Sequence, residues 1–329
     1  MPNSFISGLG TFIPEHCVTN KDLEKIMDTT DEWIVERTGI NTRYWADLSK
    51  DTTSNMGTKA ALMALENAKL QPKDVDFIIF CTLSPDYNFP GGGVLVQEQL
   101  GIDNIGALDI RNQCSGFVYG LSVADQFIKS GMYKNILVIG SEIHSSGLDK
   151  TTRGRNVTVI FGDGAGAAIV SATDTPGKGI LSTHLHSQGK FAEELMVIEP
   201  SSFSTQRTEF IPERIYPIMN GSNVFKHAVT RFPEVIMEAL NKNGYTPSDI
   251  SMLIPHQANL RISQFIQKTM KLREDQVYNN IMRYGNTTAA SVPIALTEAW
   301  QEGKVKEGDL VCLAAFGSGF TWASALIRW

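Results

Sequence analysis

Three side chains in this sequence pair reactive or hydrogen-bonding chemistry with a position where an apolar run gives way to a helical pattern. Cys114 lies in GALDIRNQCSGFVYGLSVADQF, where a strand at roughly 106–110 turns into an amphipathic helix opened by Ser115 and Gly116. A thiol at a helix N-terminus faces unpaired backbone N–H groups and the positive end of the dipole, which favour thiolate. Gly116 predicts close approach of another backbone or a substrate. The plainer reading is a core cysteine at a strand–helix junction. His256, in MLIPHQANLRI, ends a strand and precedes a helix, a kind of turn that exposes functional groups. It could hydrogen-bond an oxygen or tune a thiolate, or simply cap or fill. Asn286, in RYGNTTAASVPIAL, is on its own an ordinary N-cap.

Other segments invite chemistry more weakly. FGDGAGAAIV (161–170) looks superficially like a dinucleotide fingerprint, but it leads into a β-branched strand rather than from a strand into a helix. In AFGSGFTWASAL (315–326), Gly317-Ser318-Gly319 follows a strand, so its N–H groups could hold an oxyanion, or the segment is only a tight hairpin. His184 and His186 share one face of THLHS, yet two histidines without a third ligand are a weak metal signal, and no metal is expected.

The elements that would position these groups are written twice. Residues 64–81, ALENAKLQPKDVDFIIFC, share a grammar with residues 239–256, ALNKNGYTPSDISMLIPH: Pro72, Asp74 and Val75 correspond to Pro247, Asp249 and Ile250. That shift lays Cys81 on His256. A second block matches Gly131 and Lys134 to Gly303 and Lys306, each before an apolar strand (ILVIG, LVCLA), and carries Cys114 onto Asn286. Duplication places Asn286 opposite Cys114 across a pseudo-twofold axis, with His256 from the neighbouring strand end. Such a Cys–His–Asn set fits acyl transfer: the thiolate takes the acyl group, and the others donate hydrogen bonds to a thioester oxygen. Strands alternate with helices and read as continuous apolar runs, which predicts largely parallel sheets buried on both faces. The loop SATDTPGKG (171–179) reads as the boundary between an N-terminal half, 1–172, and a C-terminal half, 173–329.

Composition bounds the rest. The 329 residues are 42% hydrophobic and 19% charged, as in a globular protein with a sizeable core. A formal charge of −6 makes nucleic acid a poor partner. No basic-then-apolar leader opens the chain and no run of roughly 18 apolar residues interrupts it, so neither secretion nor a membrane span is expected. Four scattered cysteines suit a reducing cytoplasm.

With these residues in view, the chain resembles the β-ketoacyl-[acyl-carrier-protein] synthase III family of the thiolase superfamily over nearly its whole length. The most specific stretches are DEWIVERTGI (31–40), CSGFVYGLSVADQFIKSG (114–131), FGDGAGA (161–167), PHQANLRI (255–262), GNTTAASVP (285–293) and FGSGFTWASAL (316–326). The resemblance implies an α/β, five-layered αβαβα fold of two similar halves, a homodimer, and no cofactor beyond the coenzyme A thioester used as substrate. It implies decarboxylative condensation of an acyl-CoA primer with malonyl-acyl carrier protein, starting fatty acid synthesis. Cys114 would be acylated, His256 and Asn286 would stabilise the enolate, and the backbone N–H groups of Cys114 and Ser318 would form the oxyanion hole. By position, Trp33 and Arg153 resemble the pair that stacks CoA's adenine, with Arg37 near the phosphates. Gly221, Phe225, Ala258 and Asn259 fall along the pantetheine tunnel, and Phe89 resembles a residue reaching the partner's acyl pocket. Lys226, Arg261 and Lys268 match carrier-protein docking positions; Ile262, Phe265, Ile266 and Thr269 are expected to turn the other way on their helix.

Departures from the family pattern carry expectations of their own. Arg111-Asn112-Gln113 precede the nucleophile where small apolar residues are usual. The TTRGRNVTV segment (151–159) is long enough that Arg155 competes with Arg153 for the adenine. Three glycines in FPGGG (89–93) remove side-chain volume beside the acyl pocket, which predicts a medium-chain primer. A degradative thiolase would need a second cysteine where Ala315-Phe316-Gly317 stand, and an elongating synthase would need histidine at Asn286. A thioesterase, or a non-catalytic acyl binder, is the remaining rival.

Overall fold

A computed structural model describes residues 2–202 and 211–329. The apolar runs form two sheets. The first holds β1 (Asn3–Phe12), β2 (Phe77–Cys81), β3 (Gly106–Ile110), β4 (Asn135–Glu142) and β5 (Gly164–Thr173), in the order β1-β5-β4-β2-β3. The second holds β6 (Gly179–Ser187), β7 (Met252–Pro255), β8 (Leu310–Gly317) and β9 (Thr321–Arg328), in the order β7-β8-β9-β6. Against the expectation of largely parallel sheets, only β2 with β3, β2 with β4, and β7 with β8 run parallel. The other pairs are antiparallel. Helical crossovers join β2 to β3, β3 to β4 and β7 to β8, whereas β9 follows β8 after a three-residue turn that only antiparallel neighbours can share.

The two sheets repeat one plan. β7, β8, β9 and β6 take the places of β2, β4, β5 and β1, and the counterpart of β3 shrinks to a single bridge between Leu253 and Val277. Local chemistry repeats too. Pro72 and Pro247 each open a one-turn 3-10 helix, with Asp74 and Asp249 accepting from the backbone N–H of Gln71 and Thr246. Gly131 and Gly303, at φ 77° and 69°, take the left-handed turn after their helices.

Helices α1 (Asp31–Thr38), α2 (Thr53–Ala68), α3 (Gly92–Gln99), α4 (Gly116–Lys129), α5 (Gly221–Asn243), α6 (Leu260–Thr269) and α7 (Ser291–Gln301) complete the layers. Alternation along the strands decides who meets whom. Ile78, Phe80, Leu137 and Ile139 pack outward against α2 and α3, while Ile79 and Val138 face α4 and α7 between the sheets. Val311 and Leu313 close that central layer from below, and Cys312, Ala314 and Phe316 face α5 and α6 on the far side. The result is the five-layered αβαβα arrangement. On α6 the buried residues are Ile262, Ser263 and Ile266; Phe265 is 43% exposed and Thr269 is also outside, so the apolar stripe is narrower than its sequence suggested.

The glycine-rich stretch 161–167 runs into strand β5, and its glycines serve packing. A Cβ at Gly162 would lie 2.2 Å from the Tyr284 carbonyl oxygen, and one at Gly166 2.8 Å from Pro293. On neighbouring β4, a Cβ at Gly140 would lie 2.4 Å from the Ala289 carbonyl oxygen. Gly140→Ala is therefore expected to destabilise the fold by about 1–3 kcal/mol, as overpacking does. Gly147→Ala, with nothing within 4 Å of the added carbon, should stay within roughly 0.5 kcal/mol of the parent. Urea unfolding of the two variants beside the parent checks the contrast.

Candidate active site

Cys114 sits in the 3-10 turn Gln113–Ser115 that leads into α4. Gln113 enters that turn at φ 44°, and Gly285, its counterpart before Asn286, at φ 65°. Left-handed backbone is awkward for glutamine, and a turn this sharp is what lifts the thiol off the strand end. The Ser115 hydroxyl fixes the turn through Asn112 O at 2.9 Å and Thr321 Oγ1 at 2.8 Å. Gly317 provides room from the opposite side: a Cβ there would lie 2.6 Å from the Cys114 Cβ. Gly116 does not play the expected role, since its added carbon would make only ordinary contacts at 3.4 Å and beyond. The Cys114 N–H, the Ser318 N–H and the Thr288 hydroxyl act to lower the thiol pKa, yet it is pushed up to about 12. Burial is the main cause and the Glu142 carboxylate adds to it. Desolvation thus outweighs the helix-start effect predicted from sequence.

His256 follows β7 with its N–H on Ala314 O at 2.8 Å. Its Nδ1 lies 2.6 Å from Ser291 Oγ, which also accepts from the Gln257 N–H at 3.3 Å. The serine hydroxyl is free to donate its hydrogen to Nδ1, the tautomer in which a neutral ring carries its proton on Nε2. Nε2 is buried with no protein partner. Burial, with a smaller contribution from His144, holds the His256 pKa down to about 3, so the ring is neutral. Asn286 is set the same way: its Oδ1 accepts the Thr288 N–H at 2.9 Å, which turns the amide N–H groups toward the cavity. Two fixed neutral side chains therefore line the same cavity as the thiol.

Four further residues escaped the sequence reading: Glu142, His144, Thr288 and Ser291. Glu142 ends β4 inside a cage made by the Thr82 hydroxyl, the Leu83 and Ser84 N–H groups and the Ser84 hydroxyl at 2.6 Å. Burial raises its pKa to about 7 despite that cage. His144 Nε2 lies 2.6 Å from Thr288 Oγ1, and burial lowers its pKa to about 4. Polar residues directly after the apolar run ILVIG were the available signal.

A cavity of about 540 Å³ leads from Cys114, His256 and Asn286 to the surface. Gly221, Phe225, Ala258 and Asn259 line it, and Trp33, Arg37 and Arg261 also contribute. Asn259 caps α6 through the Arg261 N–H at 2.9 Å and holds Arg37 O at 2.9 Å, so its side chain is already committed. Arg37 stacks over Trp33 at 4.5 Å, and Arg155 lies over the same ring at 5.3 Å. Arg153 points elsewhere, bonded to Asp149 at 2.6 Å and Glu213 at 3.1 Å; of the two candidates Arg155 faces Trp33. Lys226, Arg261 and Lys268 are exposed, and Arg261 lies 5.9 Å from the Phe225 ring centre. Phe89 is 87% exposed and stands outside this cavity.

The glycines of FPGGG free no volume. Cβ atoms at Gly91 and Gly92 would lie 2.6 Å from Asp109 and 2.5 Å from Phe80, and Asp109 accepts the N–H groups of Gly92 and Gly93 at 2.6 and 2.9 Å. They let a carboxylate cap α3, and the medium-chain expectation loses its basis. His184 and His186 bind Glu238 at 3.2 and 2.6 Å, and no cluster among the described residues could hold a metal.

By its layers and its duplicated halves, the chain is a thiolase-fold acyltransferase. Residues 108–189 match the family described as 3-oxoacyl-[acyl-carrier-protein (ACP)] synthase III, and residues 240–329 match its C-terminal part. The β-ketoacyl-[acyl-carrier-protein] synthase III of Caldanaerobacter subterraneus is 47% identical over 98% of this chain and 97% of its own. That of Sulfurovum is 45% identical over 97% and 94%. The crystal structure of the synthase III from Aquifex aeolicus VF5 superposes with a TM-score of 0.91 at 43% identity, over 99% of this chain and 100% of that one. The chain belongs to the β-ketoacyl-[acyl-carrier-protein] synthase III family.

The buried groups set a pH dependence. His256 and His144 titrate near 6.5 when unfolded but near 3 and 4 in the fold. Below about 6.5 the unfolded chain binds the extra protons, so acidification destabilises the protein. Glu142 works oppositely: its pKa of about 7 against 4.5 unfolded makes stability fall as pH rises through that interval. Two histidines outweigh one carboxyl, so the urea midpoint should drop between about pH 6.5 and 5. Glu142→Gln should steepen that drop, measured by urea titration at both pH values.

Proposed function

We propose that this chain condenses an acyl-CoA primer with malonyl-acyl carrier protein through an acyl-Cys114 intermediate. One observation carries the reading: Cys114, His256 and Asn286 line a single cavity, with His256 held through Ser291 and Asn286 through Thr288. Trp33 and Arg155 take the adenine and Arg37 the phosphates, while Phe225 and Ala258 flank the pantetheine arm. Cys114 attacks the thioester carbonyl, and the Cys114 and Ser318 N–H groups hold the resulting oxyanion. CoA leaves as its thiol. The malonyl thioester oxygen then accepts from His256 and Asn286, carbon dioxide departs, and the enolate carbon attacks acyl-Cys114. The β-ketoacyl product leaves and the thiolate returns.

The carrier protein, an acidic partner, docks on α6 and the start of α5 through Arg261, Lys268 and Lys226, with exposed Phe265 among them. The open edge of β3 supports a homodimer, since Leu108 (37% exposed), Tyr87 (59%) and Phe89 (87%) present apolar surface beside the edge strand. Phe89 then reaches the partner's acyl site. Among the described residues no helix is long and apolar enough to cross a membrane, in keeping with work in the cytoplasm.

Intact mass spectrometry after exposure to acyl-CoAs of increasing length tests the intermediate. An adduct is expected on the parent and none on Cys114→Ala; equal loading of both would overturn the reading. His256→Ala and Asn286→Ala should still load, then condense about 10²–10³-fold more slowly. Arg261→Glu should raise KM for malonyl-acyl carrier protein several-fold, leaving acylation by acyl-CoA near the parental rate.

A further inference from the structure

Arg43 is fully buried and stands apart from the catalytic side chains. Burial lowers its pKa to about 10, so it is still a cation at neutral pH. Its Nη1 donates to Asn20 Oδ1 at 2.7 Å and to Val18 O at 3.4 Å, and its Nη2 donates to Val159 O at 2.8 Å. Every one of those acceptors is neutral, and Nε is buried with no partner among the described residues. A charge buried without a counter-charge costs stability, so its value lies in what its partners hold in place.

Those partners belong to the two walls of the nucleotide slot. Asn20 grips α1 at both ends, its Nδ2 donating to Asp31 Oδ1 and to Ile40 O, each at 2.8 Å. Trp33 and Arg37 ride on that helix. Val159 follows the helical turn Arg155–Thr158 and lines the cavity, and the Arg155 guanidinium lies 5.3 Å from the Trp33 ring. Arg43 thus ties the backbone behind Trp33 to the backbone behind Arg155 through its planar fork, which a lysine could not reproduce. Space for it is kept on both sides: a Cβ at Gly162 or Gly285 would lie 3.2 or 3.3 Å from the Arg43 Cβ.

We propose that Arg43 is a positioning residue for CoA, fixing α1 against the Arg155–Thr158 turn so that Trp33 and Arg155 can take the adenine between them, an inference that rests on their taking it. Arg43 itself touches no part of the substrate. A residue that only stabilised the fold would affect every ligand of the cavity alike, whereas one that sets this slot affects the adenine alone.

Calorimetric titration with CoA and with phosphopantetheine, which lacks the adenosine, separates the two roles. Arg43→Met, which keeps the length of the side chain and loses its hydrogen bonds, should bind CoA about tenfold more weakly than the parent, as loss of a stacked base does. Its affinity for phosphopantetheine should stay within about twofold of the parent. Asn20→Asp gives Arg43 a counter-charge but loses both amide bonds to α1; it should show the same split and provides the reading if Arg43→Met does not fold. In a Trp33→Ala background the Arg43→Met loss should shrink below about twofold, because both act through one contact. Equal weakening of the two ligands overturns the role, as does an undiminished loss in Trp33→Ala or parental CoA affinity in the folded variants. If the parent binds CoA no more tightly than phosphopantetheine, the adenine reading fails and Arg43's role with it. If CoA binding responds as described but no acyl-CoA loads Cys114, the condensation reading fails and the role of Arg43 stands.

Discussion

The molecule depends on how closely the start of α7 can lie on the first sheet. Gly140, Gly162 and Gly166 present bare backbone to Ala289, Tyr284 and Pro293, and any side chain at these places would hold the halves apart. Interiors packed at crystal-like density tolerate no such gap. Only because this approach is tight do Asn286 and Thr288 reach Cys114. The second half returns the contact through Gly317 against the Cys114 side chain and Thr321 against Ser115. The site is thus a by-product of the duplication: two strand-to-helix turns facing one another across the central helical layer, one carrying a thiol and the other a carboxamide.

Desolvation governs the chemistry available there. His256 and His144 are neutral, and the thiol resists ionisation; burial is the leading cause each time. The helix dipole and the N–H groups that lower the thiol pKa do not make up for the water the thiolate would lose. The same low dielectric strengthens fixed donors toward any charge that develops between them. Glu142 shows what burying a carboxylate requires: hydroxyls and N–H groups from the 82–84 loop surround it. That cage also ties the loop leading to Phe89 to the end of β4.

Much of this was legible in the sequence because it recurs within the chain. Pro72 and Pro247, Gly131 and Gly303, and the pairing of Cys114 with Asn286 announced the halves and the central helices. Strand direction was not legible, because continuous apolar runs look alike in parallel and antiparallel pairs. The FPGGG glycines suggested empty space, and only the fold shows Asp109 and Phe80 occupying it. Arg153 and Arg155 are two residues apart, and their acidic neighbours Asp149, Glu213 and Asp28 decide which faces Trp33. The His144–Thr288 contact joins positions 144 residues apart on opposite halves, without a duplicated counterpart to betray it.

The proposed cycle develops negative charge at two different oxygens, and the site treats them differently. Attack on the primer thioester makes an oxyanion beside the Cys114 and Ser318 N–H groups, which are backbone atoms of two turns and cannot reorient. Loss of carbon dioxide makes an enolate beside His256 and Asn286, which are side chains and could. Their freedom is removed by one short stretch: Ser291 holds the imidazole through Nδ1, and the Thr288 N–H sets the amide. Donors that must turn toward an anion spend part of their stabilisation on reorganisation, and donors already aimed do not. A cationic imidazole would bind the malonyl carboxylate before reaction and stabilise the ground state as well as the enolate. A ring held neutral favours the charge that appears only as carbon dioxide leaves.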